Sequence, residues 1–150
     1  MIQTTKLNNQ ELTGLVGSIQ KQLEKAKETK GYSVSLFALE RNSELLSQYY
    51  IKALTKFQEI LNNNVEKDKK GEVVYEGGTG IISLNKNEKE KPKTPKIVDQ
   101  VKYNSELMSF YSSNVSVEIM KIDLDILIKE LSLQRDSDTY LLLKYCTLHN

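Results

Sequence analysis

The sequence predicts a mostly helical α+β protein: an antiparallel helical hairpin over about residues 10–29 and 35–62, a third helix over about 97–113, a small β element and short C-terminal helices. Three observations predict it. Apolar residues recur at helical spacing through two long stretches separated by a short Gly-containing turn. Only brief segments, near residues 2–7, 72–84 and 115–119, suit strands. The chain has 150 residues, the size of one domain, and a domain of that length buries roughly 70% of its unfolded surface, enough for a core without staples. The organisation read from these features is a single domain, 1–150, with a flexible lysine-rich loop at 85–96.

Each element has a local cause. Ile2 to Leu7 alternates loosely and carries two threonines, the pattern of a short edge strand. Asn8 or Asn9 offers a helix N-cap, with Glu11 in the first turn. Leu12, Leu15, Val16, Ile19, Leu23 and Ala26 then follow at helical spacing. Gly14 and Gly17 weaken that helix by up to ~1 kcal/mol each relative to Ala, and they suit a point where another helix approaches closely. Lys30-Gly31 ends it, with Gly31 at the left-handed position beyond the cap. Ser33 or Ser35 starts the longest helix. Leu36, Leu39, Ser43, Leu46, Tyr50, Ala53, Leu54, Phe57, Ile60 and Leu61 share one broad face, and Asn62-Asn63-Asn64 breaks it. At 1.5 Å per residue it is roughly 40 Å long. A short turn between two such helices folds them antiparallel.

Val65 to Gly71 reads as a polar turn. Glu72 to Tyr75 and Gly80 to Leu84 read as two short strands around the turn Gly77-Gly78-Thr79-Gly80. Asn85 to Lys96 holds both prolines, five lysines and no apolar residue, so it is expected to be mobile and solvated. Ile97, Val98, Val101, Leu107, Met108, Phe110 and Tyr111 mark the third helix, closed by Asn114. Val115 to Ile119 is the clearest strand. Asp123 is an N-cap for a helix containing Leu124, Leu127, Ile128 and Leu131. Asp136 or Ser137 would cap a last one, Thr139 to Cys146.

Residues that carry chemistry are scarce: one His, one Cys and no Trp. The glycine turn at 77–80 lacks the GK[ST] ending of a phosphate loop. Asp123 and Asp125 have no third acid at a metal-binding spacing, and capping accounts for both. Cys146 and His149 are close in sequence without a base and its orienter. The expectation is a protein that is not an enzyme, with no catalytic residues, metal or cofactor. Net charge is +1, and Lys alternates with Glu, which argues against nucleic acid as a partner. Residues 1–11 lack the apolar core of a signal peptide, and every apolar run falls far short of the ~20 residues of a membrane span. A single cysteine is compatible with a reducing compartment.

Composition points instead to protein contact. Apolar content is 39%, below the usual ~45–50%, which suits a thin core, long exposed helices or a fold completed by a partner. Eight tyrosines supply rings with polar tips, favoured at interfaces. Tyr49 and Tyr50 are adjacent and cannot both face one core, so one is exposed or covered by a partner. The interface candidates are Arg41, Tyr49, Tyr50 and Phe57. Asn42, if buried, must hydrogen-bond the adjacent chain. Lys89, Lys91 and Lys93 are the candidates for phosphate contact, although their loop lacks interleaved aromatics and reads as a solvated tip.

Four segments carry a resemblance: Lys6 to Leu12 (KLNNQEL), Ala38 to Asn42 (ALERN), Lys67 to Gly71 (KDKKG) and Val115 to Leu127 (VSVEIMKIDLDIL). In their order the chain resembles a family of small proteins of unknown function encoded by tailed bacteriophages and prophages. Residues 76–95 are longer than the family pattern. The family has no established active site, so the resemblance implies a phage origin without assigning residues. With the composition, it leads to the expectation of a virion structural or assembly component in the head–tail or tail region, acting through other phage proteins or as a homo-oligomer. The alternative is a small inhibitor or regulator binding a host or defence protein, and a nucleic-acid accessory protein ranks third. The expected location is the virion or the host cytoplasm.

Overall fold

The computed structural model describes residues 1–27, 33–76, 94–133 and 139–148. They form β1 (Ile2–Asn8), α1 (Asn9–Ala26), α2 (Val34–Asn64), β2 (Tyr75–Glu76), β3 (Thr94–Pro95), α3 (Gln100–Ser112), β4 (Asn114–Met120), α4 (Leu124–Leu131) and α5 (Tyr140–Tyr145). This is the mostly helical α+β class. The residues fall into two compact units, Met1–Thr55 with Phe110–Asn150, and Lys56–Ser109.

In the first unit β1 and β4 pair antiparallel, from Ile2 opposite Met120 to Asn8 opposite Asn114. Leu7, Val117 and Ile119 point into the core, while Thr4, Lys6, Ser116 and Glu118 are exposed, the period-2 alternation of a sheet with one wet face. Asn8 closes a capping box at the start of α1: Asn8 Oδ1 accepts from the Glu11 N–H at 2.8 Å, and Glu11 Oε1 accepts from the Asn8 N–H at 3.2 Å. Leu12, Leu15 and Ile19 of α1 are buried. Gln20 Nε2 donates to Ser43 Oγ at 3.0 Å across the α1–α2 hairpin. Of the two glycines, Gly14 is the close-approach point: a Cβ there would lie 2.5 Å from Leu141 Cδ1 of α5, while nothing lies within 4 Å of one at Gly17.

Ser33 caps α2, its Oγ accepting from the Leu36 N–H at 3.1 Å. Glu130 of α4 reinforces that end, accepting from the Ser35 N–H at 3.2 Å, a carboxylate placed where the helix dipole favours it. Ala38, Leu39, Asn42, Leu46 and Ala53 are buried. Leu54, expected on this face, is exposed, because the inward stripe follows Leu39, Leu46 and Ala53, and the next residue lies about 100° further round the helix. Asp123 caps α4 as expected, its Oδ1 accepting from the Asp125 N–H at 2.8 Å and the Ile126 N–H at 3.2 Å. A parallel bridge between Ile122 and Thr147 draws the C-terminal segment beside β4. The expected caps at Gly31 and at Asp136 or Ser137 lie outside the described residues.

The second unit revises two expectations. The helix α2 ends within the asparagine triplet, at Asn64. Buried Asn64 itself ties down the end: its Nδ2 donates to the Ile60 C=O at 2.7 Å and to Glu106 Oε2 at 2.9 Å, and its own C=O, one that a helix end leaves bare, accepts from the Val98 N–H at 2.9 Å. Among the described residues the partner of β2 is β3, Thr94–Pro95, while the expected strand Gly80 to Leu84 lies outside them. Backbone bonds extend the β2–β3 pairing: the Glu66 N–H donates to the Lys96 C=O, the Lys96 N–H to the Val74 C=O and the Val74 N–H to the Glu66 C=O, each at 2.8 Å. Residues 94–96 of the expected flexible loop are thus paired, while 77–93, with the glycine turn, lie outside the described residues. The polar turn is built on Asp68, whose Oδ1 accepts from the Lys70 and Glu72 N–H groups at 2.8 and 3.0 Å, with Gly71 at φ 80°, a conformation glycine adopts at no steric cost. Finally, α3 begins at Gln100, after Ile97 and Val98. Asp99 sets that start, its Oδ1 accepting from the Lys102 N–H at 3.1 Å.

Candidate interaction surfaces

The four interface candidates do not converge. Arg41 is exposed and pairs with Glu44 on its own helix, at 3.0 Å. Tyr49 and Tyr50 are both half-buried, as is Phe57. Consecutive residues lie about 100° apart on a helix, and these two straddle the buried stripe, one on each shoulder, so neither is fully exposed and neither is fully buried. Lys89, Lys91 and Lys93 lie outside the described residues.

The apolar surface of α2 lies beside Tyr50. Ile51 is 61% exposed and Leu54 43% exposed. Residues three and four apart are neighbours on a helix, so Tyr50, Ile51 and Leu54 make one small ridge. Sequence reasoning placed Leu54 inward and passed over Ile51. The missed signal was the 7-residue recurrence of Leu39, Leu46 and Ala53, which fixes a narrower inward stripe than the broad face first drawn. In the second unit α3 carries its own exposed residues, Val101 at 81% and Met108 at 73%.

A polar cluster joins α1 to α5. The Tyr145 hydroxyl donates to Glu11 Oε2, and Lys144 Nζ lies 3.4 Å from the same oxygen. Desolvation pushes the Glu11 carboxyl up, but the bonds from Tyr145, the Asn8 N–H and Lys144 outweigh it and leave the group below the ordinary carboxylate range. Burial, then the bond to Glu11, raises the Tyr145 phenol. Lys144 sits 5.0 Å from the centre of the Tyr145 ring, within cation–π reach. These groups hold one another in place, and Glu11 does so while also capping α1.

A second cluster lies behind β4. Asn42, fully buried in α2, accepts from the Met120 N–H at 2.6 Å and donates to the Met120 C=O at 3.0 Å. Its carboxamide thus occupies the place a neighbouring strand would take, the bond to the adjacent chain that its burial demanded. Lys121 is also buried, and its Nζ donates to the Tyr145 C=O. Desolvation lowers its pKa. Burial pushes the fully enclosed Cys146 thiol up to about 12, which keeps it a thiol and a poor nucleophile. Lys121 was legible in principle, because the strand period that turns Val117 and Ile119 inward turns it inward too.

Among the described residues, no group of three or more His, Cys, Asp or Glu side chains could hold a metal ion, and no helix is long and apolar enough to cross a membrane. No family model, curated protein or solved structure matches the chain.

Proposed function

We propose that this is a phage-encoded, non-enzymatic protein that works by protein–protein contact, as a structural or assembly component of the head–tail or tail region of a virion. The observation that carries the reading is the ridge of Tyr50, Ile51 and Leu54 on α2. Full burial of an aliphatic side chain of this size is worth about 1.5–3 kcal/mol, so two half-exposed ones offer a partner a modest anchor of the kind found at interface centres. The four resembling segments supply the phage assignment.

The test is made in cells producing the phage, with the wild-type chain and an Ile51→Glu/Leu54→Glu variant. The wild type is expected in purified particles, and the folded variant is expected to be lost from them. Absence of the wild type from particles, with recovery on a host protein, would replace this reading with the intracellular inhibitor or regulator. Retention of the variant in particles would remove the ridge from the interface.

A further inference from the structure

Among the described residues the sheet of the first unit has two strands, and β1 lies at its edge. Which of its backbone groups are used follows from the register. The Lys121 N–H donates to the Met1 C=O at 2.8 Å and the Asn9 N–H to the Ser113 C=O at 3.0 Å, so the odd-numbered residues of β1 are those hydrogen-bonded to β4. The N–H and C=O groups of Ile2, Thr4 and Lys6 therefore point away from β4, along an edge where all three residues are exposed. That edge runs without a bulge, since the register is continuous from Ile2 to Asn8, and without a proline. Such an edge is a template for another strand. The far side of β4 differs, because Asn42 already occupies the Met120 N–H and C=O.

We propose that the occupant is β1 of a second copy, antiparallel and centred on Thr4, giving a four-stranded sheet ordered β4-β1-β1-β4. The strand is self-complementary in this register. Thr4 faces its own counterpart, and Ile2 faces Lys6 in both directions. All three outward residues of each strand then exchange both backbone bonds, and the two-fold axis makes the contact isologous. Charge fits as well: the single cation of the strand, Lys6, meets the 44% exposed Ile2 and not its own copy, and its methylene stem can cover that side chain. A two-stranded sheet is marginal alone, whereas four strands with one apolar face are not. This contact uses a different surface from the α2 ridge and does not depend on it.

Cross-linking tests the register. Residues that exchange both bonds in an antiparallel pair have Cα atoms about 5.5 Å apart, within the span of a disulfide, and the native Cys146 is fully buried. Under a mild oxidant Thr4→Cys is expected to form a covalent dimer by itself. Ile2→Cys and Lys6→Cys are each expected to stay single alone and to cross-link when mixed. In sedimentation across a concentration series the wild type is expected to be a dimer. Thr4→Pro, which removes only an outward N–H, should weaken it at least tenfold with an unchanged circular dichroism spectrum. Ile51→Glu/Leu54→Glu should leave it intact. A wild type that stays monomeric at every concentration, or a dimer in which Thr4→Cys fails to cross-link, would overturn the proposal. So would an edge that remains open in this chain and takes up only a strand from another protein.

Discussion

Replacing Asn42 with Ala removes a side chain that joins α2 to β4 by hydrogen bonds. Two of its bonds go to main-chain groups of Met120, at 2.6 and 3.0 Å, and both groups would be stranded together; the third, to Cys146 Sγ at 3.7 Å, is the weaker kind that sulfur accepts. A buried group left without its partner costs about 1–3 kcal/mol. Met120 is half-buried, so the lower part of that range applies, about 1–2 kcal/mol for each of the two groups. Alanine returns about 0.6 kcal/mol of helix propensity. The net loss is about 1.4–3.4 kcal/mol, a sizeable part of the ~5–15 kcal/mol that holds a domain together. At about 2–4 °C per kcal/mol for a chain of this size, the thermal midpoint should fall by about 3–14 °C. The assays are a thermal melt for that midpoint and urea unfolding for the free energy, both followed by circular dichroism, with the slope against denaturant unchanged so that the urea midpoint alone reports stability. A loss under about 0.5 kcal/mol, the range of an ordinary surface substitution, would refute the account. Asn42→Asp adds a second check. At neutral pH it sets a carboxylate against the Met120 C=O and should cost more than Ala; once protonated it can donate again, and the gap should close in acid.

Three further outcomes are expected. Gly17→Ala, facing open space, should stabilise the protein by about 0.5–1 kcal/mol, while Gly14→Ala should gain less because its methyl must displace Leu141; equal gains in paired thermal melts would contradict this. Glu11 has a depressed carboxyl, so its contribution is present above the ordinary glutamate pKa of about 4.3 and lost as pH falls through the lower folded value; the stability difference between wild type and Glu11→Gln should therefore be flat near neutrality and shrink in acid, and a pH-independent difference would contradict it. The Cys146 thiol, raised to about 12, should resist a thiol reagent in the native protein and react on unfolding. Its stabilising share is complete below the unfolded thiol value of about 8.5 and is lost as pH climbs toward the folded one, so the alkaline decline in wild-type stability should be shallower in Cys146→Ala.

Signals that act within one turn were readable from the residues. Asn8 with Glu11, Ser33 and Asp123 each cap a helix that follows at once, and Val117 and Ile119 alternate as a half-buried strand must. What escaped depends on partners remote in sequence. Glu11 was legible as a first-turn acid, but not as the acceptor for Tyr145, 134 residues away. Of the strand expected over Glu72 to Tyr75, Tyr75 lies in β2 and Val73 in an isolated bridge to Lys67, and the pairing of β2 with Thr94 and Pro95 joins residues about twenty apart that no local turn signal names. The faces of α2 and α3 were drawn too broad: apolar spacing marks a helix, whereas what covers Ile51, Leu54, Val101 or Met108 is decided by neighbours that spacing does not name.

The β1–β4 pairing also sets an order of events during synthesis. Asn9, the first residue of α1, hydrogen-bonds the Phe110 C=O 101 residues later, and every partner of β1 in the sheet lies beyond that point. At roughly 5–20 residues per second, the ribosome exposes β1 some 5–20 s before β4 follows. A capped helix such as α1 forms on the microsecond scale and waits seconds for β4 to follow. Throughout that interval β1 is a strand with two open edges, and closing it against β4 is a long-range, slow step by the measure of contact order. Nascent chains on one message therefore carry the same unpaired strand side by side before any of them has finished folding.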